Sequence, residues 1–328
     1  TGLNDPEAQV NVNYRHKGLD VFASAKEWQY RTNQWSDLGQ TTTDISTGTE
    51  IFRYEGVLKH QWRGIGTHLT GGFNWQINDK HSVGAKVDYA ISTKVDTKER
   101  LAMNKYERGT LIESVCSDGH NWSDKPNNTL VNAYYNGSIG KLTIDFNADL
   151  FFTNDNTHQL MKETANTTDR DIESVTTSKN NMAATKLVLA YPIWKGMLNI
   201  GTEETFIERD NTNNSQGTGL PNSTSKVNDK TYAAFIQYGV ALNAKTQASL
   251  GLRYEHADFD YKDMLNPADN MERSYDNIFP SASISTLIGK TRIALAYSSR
   301  TQRPSLGQLN NSMMYHNRFV VQQGNPKL

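Results

Sequence analysis

In KLTIDFNADLFF, residues 141–152, the side chains alternate. Leu142, Ile144, Phe146, Ala148, Leu150 and Phe152 fall on one parity, and Thr143, Asp145, Asn147 and Asp149 on the other. Successive side chains of a strand point to opposite faces, so a period of two predicts a strand with one apolar and one polar face. The pattern recurs. SVGAKVDYAIST sets Val83, Ala85, Val87, Tyr89 and Ile91 against Lys86 and Asp88, and HLTGGFNWQI sets Leu69, Gly71, Phe73, Trp75 and Ile77 against Asn74 and Gln76. It returns from Tyr232 to Leu242 and from Thr291 to Ser298. No stretch shows a convincing helical period. The expected fold class is all-β and antiparallel.

Six very short turns punctuate the pattern: Lys17-Gly18, Asn78-Asp79-Lys80, Gly140-Lys141, Trp194-Lys195-Gly196, Asn243-Ala244-Lys245 and Gly289-Lys290. About 45 to 61 residues separate one from the next, room for a strand up, a connection and a strand down. The connections are rich in Asn, Thr, Asp and Ser, and are expected as solvated loops near 35–66, 93–128, 154–180, 209–230 and 262–275. Within the first of them, Phe52-Arg53-Tyr54 reads as strand carried on beyond a membrane. Short turns at one end and long loops at the other are the habit of an outer-membrane barrel, whereas a β-sandwich scatters its loop lengths over both ends. The expectation is therefore about twelve strands of one antiparallel transmembrane β-barrel domain spanning residues 1–328. Such a wall has two open edges, which predicts that it continues beyond residue 328.

The aromatics fit the same geometry. Tyr89 lies nine residues past Lys80, Tyr254 nine past Lys245, Phe206 ten past Gly196, Phe152 eleven past Lys141 and Tyr297 seven past Lys290. A tilted strand crosses the hydrocarbon in about 9 to 11 residues, so these five read as an upper interfacial girdle. Trp75, Tyr191 and Trp194, close to short turns, read as the lower one. The polar parity, including Lys86, Asp88, Asp145, Asp149, Arg253, Glu255 and Arg292, then faces a lumen. A soluble core could not bury so many charges unpaired, although the outer face of a soluble sheet could display them.

Composition narrows the classes further. The 34 basic and 35 acidic residues leave a net charge of −1, without the basic surface that nucleic acid requires. A single cysteine, Cys116, rules out a disulfide framework and argues against a cysteine-based zinc site. Mean hydropathy is −0.67, and no apolar run approaches the roughly 18 residues of a membrane helix. That does not argue against barrel strands, whose alternation averages away.

Candidate chemistry is sparse. Gly289-Lys290-Thr291 ends like a phosphate-binding loop, but Ile284 stands where its first glycine is needed, and a strand follows. Asn136-Gly137-Ser138-Ile139-Gly140 lacks the first glycine of a nucleophile elbow. Asp169, Asp171 and Glu173 alternate in an expected loop without the glycine and distant glutamate of a calcium loop. Glu203 and Glu204 point to opposite faces, so they cannot work as an acid and base pair. No catalytic, cofactor-binding or metal-binding residue is assigned, no cofactor is expected, and the chain is not expected to be an enzyme.

One ordered motif remains. After the Tyr297 strand come Arg303-Pro304, Leu309-Asn310, Tyr315, and then Gly324-Asn325-Pro326 with Leu328. This set resembles the TonB-dependent receptors of Gram-negative outer membranes, in particular the group called outer membrane β-barrel proteins. The resemblance covers about thirty residues. It implies a 22-stranded barrel plugged by an N-terminal domain, and energised import of a scarce ligand such as a metal chelate, vitamin or glycan. The implied partners are outer-membrane lipid, the imported small ligand, and an energy-coupling periplasmic protein acting through the plug; nucleic acid is not among them. The turn chemistry of Pro304 and Asn325-Pro326 favours a structural role for the motif over substrate contact. The alternative outside the membrane is a soluble all-β glycan-binding module.

Overall fold

A computed structural model of the chain describes residues 5–325 and 327. Strand dominates, and every pairing is antiparallel. The strands are β1 (Glu7–His16), β2 (Leu19–Thr43), β3 (Glu50–Asn78), β4 (His81–Glu107), β5 (Thr110–Ser123), β6 (Asn127–Ile139) and β7 (Leu142–Ala165). They continue with β8 (Arg170–Ile193), β9 (Gly196–Gln216), β10 (Ser223–Asn243), β11 (Thr246–Asp263), β12 (Met271–Ile288) and β13 (Thr291–Ser298). Together they form one 13-stranded sheet, paired between chain neighbours except where β4 meets β6 and β5 meets β7.

These strands make twelve passes, because β5 and β6 are two halves of one. β4 pairs with β5 through Val95–Glu107 and with β6 through His81–Ile91, while β7 pairs with the same two in the reverse order. The break is Asp124-Lys125-Pro126, where Lys125 takes a positive φ of 47° and Pro126 lacks an amide hydrogen. The ladder survives it through Asp124 N to Asn156 O and Ser92 N to Pro126 O, both 2.9 Å. The expected count of twelve strands is met. The wall is open: among the described residues β1 pairs only with β2 and β13 only with β12.

All six expected short turns are present as strand-to-strand connections. Gly140 and Gly289 sit at φ of 63° and 62°, a region open to glycine at no steric cost. Gly289-Lys290 is thus a hairpin turn, as its flanking alternation implies.

The expected long loops are different. Most of 35–66, 93–128, 154–180 and 209–230 is strand, and the connections shrink to 44–49, 108–109, 166–169, 217–222 and 264–270. β3 runs for 29 residues. That is roughly 90 Å of strand at about 3.3 Å per residue, far beyond a hydrocarbon core of about 30 Å. Tight turn chemistry makes this possible. Arg108 and Gly109 both take positive φ, 47° and 82°, the pairing a two-residue type I′ hairpin demands. Asp44 Oδ1 accepts from Ser46 N at 2.7 Å and folds the turn between β2 and β3. Asp171 and Glu173 likewise stand on β8 rather than in a loop.

Register places the two faces as the alternation predicts. Leu69, Val87, Val131, Leu150, Ile200, Ile236, Leu252, Ile278 and Leu295 share the outward face across successive ladders. Many of these stay open to the surroundings, with Leu295 73% and Ile278 64% exposed. A continuous apolar band of this kind on a strand wall is a surface for lipid. The five girdle aromatics all stand on it. Outward charge begins with Glu27, Glu204 and Lys230, about eight or more residues past the short turns, near where a tilted strand would leave the hydrocarbon.

The core lies elsewhere. After β13 the chain turns back as a return segment, residues 299–325, with one helical turn at Leu306–Leu309 and a hairpin of β14 (Met313–Asn317) and β15 (Val320–Gln323). It crosses the inner face of the tall extensions. The buried apolar residues, among them Leu101, Met103, Met161, Ile172, Val227 and Tyr261, lie under it, and Leu309 and Tyr315 come from it.

Candidate functional site

The inner face carries charge low down and a covered polar chamber above. Lower down, Lys86 Nζ lies 2.6 Å from Asp88 Oδ2, and Thr70 donates to Asp88 at 2.7 Å. Asn132 donates to Asp149 at 2.7 Å. Further round the wall a ladder of ions runs across four elements. Lys186 lies 3.6 Å from Glu203, Arg253 bridges Glu203 at 3.2 Å and Glu255 at 3.0 Å, and Arg303 of the return segment pairs with the other oxygen of Glu255. Arg303 also donates to Thr231 Oγ1 at 2.7 Å. The lumen charges anticipated from parity are therefore on one face: Lys86 pairs with Asp88 and Arg253 with Glu255, Asn132 holds Asp149, and Asp145 and Arg292 are exposed.

The return segment is anchored at its far end by a carboxylate. Glu163 is fully buried on β7, and it accepts hydrogen bonds from Tyr315 Oη at 2.7 Å, Arg318 N at 3.1 Å and Ser117 Oγ at 3.2 Å. Arg318 Nε lies 3.4 Å from the same carboxylate, and Arg318 Nη1 reaches Glu113 at 2.9 Å. Burial, together with the hydrogen bond to Glu163, pushes the Tyr315 phenol up to about 12. Burial also works against the charged form of Glu113, but hydrogen bonds from Thr167 and Arg318 and the charges of Arg318 and Lys105 outweigh it and hold its carboxyl below the usual range. At the hairpin tip the Phe319 ring lies 5.2 Å from that of Tyr54 on β3.

The motif residues serve this arrangement. Arg303 reaches the wall, Leu309 and Tyr315 are buried, and Asn310 Oδ1 accepts from Ser312 N at 3.0 Å. Gly324 is forced by close approach: a Cβ there would sit 2.4 Å from Asn310 O and 2.6 Å from Gln308 O. Asn325 N donates to Gln308 O at 2.6 Å, which ties the two ends of the segment together. Pro304 is half-buried beside them. Pro326 and Leu328 lie outside the described residues. Sequence reasoning did not single out Glu163, Arg318 or Glu113, because a lone charge in a polar stretch gives no sign of what will cover it.

The chain matches the outer membrane protein β-barrel family over residues 138–328. It belongs to that family. The membrane-facing band and the polar inner face are thus those of a bacterial outer-membrane barrel, and the soluble alternative is set aside. No match was found among curated proteins. Similar solved structures include the outer membrane protease OmpT of Escherichia coli, at 10% identity over 85% of this chain and 96% of that one, with a TM-score of 0.29. Another is OmpT, an outer membrane protein of Vibrio cholerae, at 10% identity over 86% and 99%, TM-score 0.23. The ferric yersiniabactin uptake receptor FyuA of Yersinia pestis is similar at 10% identity over 88% of this chain and 66% of that one, TM-score 0.28. Scores this low do not separate one barrel function from another.

Proposed function

We propose that the chain is part of the wall of an outer-membrane receptor that takes up a scarce ligand, a metal chelate, vitamin or glycan, by energised transport. The observation that carries the reading is the inner face itself: paired charges at membrane height give way to a tall, polar, partly covered chamber above. A lipid-facing wall needs no such lining, whereas a ligand route does. The ordered motif from Arg303 to Gly324 supports the same reading and, by its contacts, acts as a brace for the return segment. On this reading the whole receptor has 22 strands and a plug that meets an energy-coupling periplasmic protein. No catalytic step is assigned to it.

The test is growth of a deletion strain and its complemented parent on limiting iron chelate, cobalamin and glycan in turn. The reading expects loss on one of these, restored by the full-length gene and abolished when the proton-motive force is collapsed. Equal growth of both strains on all three would overturn it.

A further inference from the structure

Between the return segment and the inner face of β6 to β9 lies a cavity of about 530 Å³. Most of the side chains that line it carry an amide or a hydroxyl: Asn127, Asn154, Asn180 and Ser178 come from the sheet, and Asn310 and Ser312 from the segment. Two residues of that lining, Arg209 and Asn211, carry a buried donor without a partner. Asn211 is only 4% exposed, yet its Nδ2 has no hydrogen-bond partner in the protein. Nor has Nε of Arg209, two residues away on the same face of β9. Asn213, two residues beyond, shows what satisfaction looks like on this strand. Its Nδ2 donates to Met313 O at 3.1 Å, and its Oδ1 accepts from Thr176 at 3.0 Å and Ser174 at 3.3 Å.

Buried donors are rarely left unmade, since the desolvation they suffer is otherwise uncompensated. A guanidinium is always charged, and its planar fork suits a carboxylate. Arg209 makes no ion pair among the described residues, although burial alone already pulls its pKa down. One carboxylate, Asp155, also lines the cavity, where it accepts from Thr157 at 3.3 Å. That single negative charge disfavours a dianion and offers an acceptor for a ligand hydroxyl.

We propose that this cavity binds a singly charged carboxylate carried on a hydroxyl-rich small molecule, a sugar acid or hydroxy acid. The carboxylate sits on Arg209 and Asn211, and the hydroxyls meet the surrounding amides. The inference rests on the uptake reading and deepens it by naming the chemistry of the ligand.

The experiment uses the full-length receptor purified in detergent. Galacturonate, gluconate and lactate are titrated at millimolar concentration by calorimetry, with galactose as the neutral counterpart. Saturable binding of at least one acid, weak or absent for galactose and roughly tenfold or more weaker in Arg209→Gln, is the expected result. Arg209→Lys should retain part of it, and heat-modifiable gel mobility of both variants confirms that the wall is intact. Failure of all three acids to bind, as a merely water-filled chamber would give, overturns the proposal. So does binding that Arg209→Gln leaves unchanged. Uptake in cells that is indifferent to Arg209→Gln would sink the site while leaving the receptor reading standing. Arg209-dependent binding without any uptake would do the reverse.

Discussion

Glu163 shows how much one side chain decides. It is buried completely, and its contacts come from the return segment and from Ser117 on the neighbouring strand. Removing one partner of a buried pair leaves the other charge uncompensated, at about 3–5 kcal/mol. Glu163→Ala should therefore release residues 313–323 from the wall, seen as loss of hydrogen-exchange protection there, while the strands below keep theirs. The Glu163→Gln, Arg318→Met double variant should recover most of the protection. Acidity acts on the same contacts. The lowered pKa of Glu113 contributes docking stability above the ordinary glutamate range, lost as pH falls through the folded value. The raised pKa of Tyr315 contributes below the ordinary phenol value of about 10 and is lost as pH climbs towards about 12. Protection of 313–323 should hold at neutral pH and weaken towards both extremes; a flat profile would assign the docking to other contacts. Tyr315, Leu309 and Gly324 were legible beforehand as members of a motif. Arg209 and Asn211 were not, since what marks them is an unmet hydrogen bond that only the fold reveals.

At the scale of the strand, the lower halves were legible and the upper halves were not. Near each short turn one face meets lipid and the other a polar lumen, so the alternation is strong and register follows from it. Above the membrane both faces are polar, and Asn, Thr and Ser then look the same in a ladder as in a loop. TTSKNN of β8 and ERDNTN of β9 pair residue for residue although neither alternates in hydrophobicity. What holds them is the backbone ladder and turns such as Arg108-Gly109, with the return segment packed over the inner face. The lower face assignment makes a sharp prediction. Phe146, about five residues above its short turn, faces out with Leu187 and Tyr135 on its flanks, while Asp145 faces in beside Val188 and Asn136. Phe146→Arg should impair membrane assembly, since a lipid-facing arginine near the midplane loses about 2–4 kcal/mol, and Asp145→Arg should assemble normally. Heat-modifiable gel mobility of the two variants reads the difference; the opposite outcome would reverse the faces.

For the molecule as a whole, twelve passes with one lipid-facing and one polar face make a wall, and the return segment gives its inner side the buried core that a bare sheet lacks. Fold class, pass count and the two open edges followed from the spacing of turns and parities. The inward fold of the return segment did not, because its contacts join residues more than a hundred positions apart, such as Tyr315 and Glu163. The central claim is that β7 stands in the membrane with alternate faces to lipid and lumen. The most direct measurement is spin-label accessibility at each position from 142 to 156, with Cys116 replaced by serine in the full-length protein in lipid bilayers. Collision with oxygen, which concentrates in lipid, should peak at even positions, and collision with an aqueous nickel chelate at odd positions. The oxygen preference should vanish above Asn154. Uniform access to the aqueous reagent along the strand, or no period of two, would contradict the account.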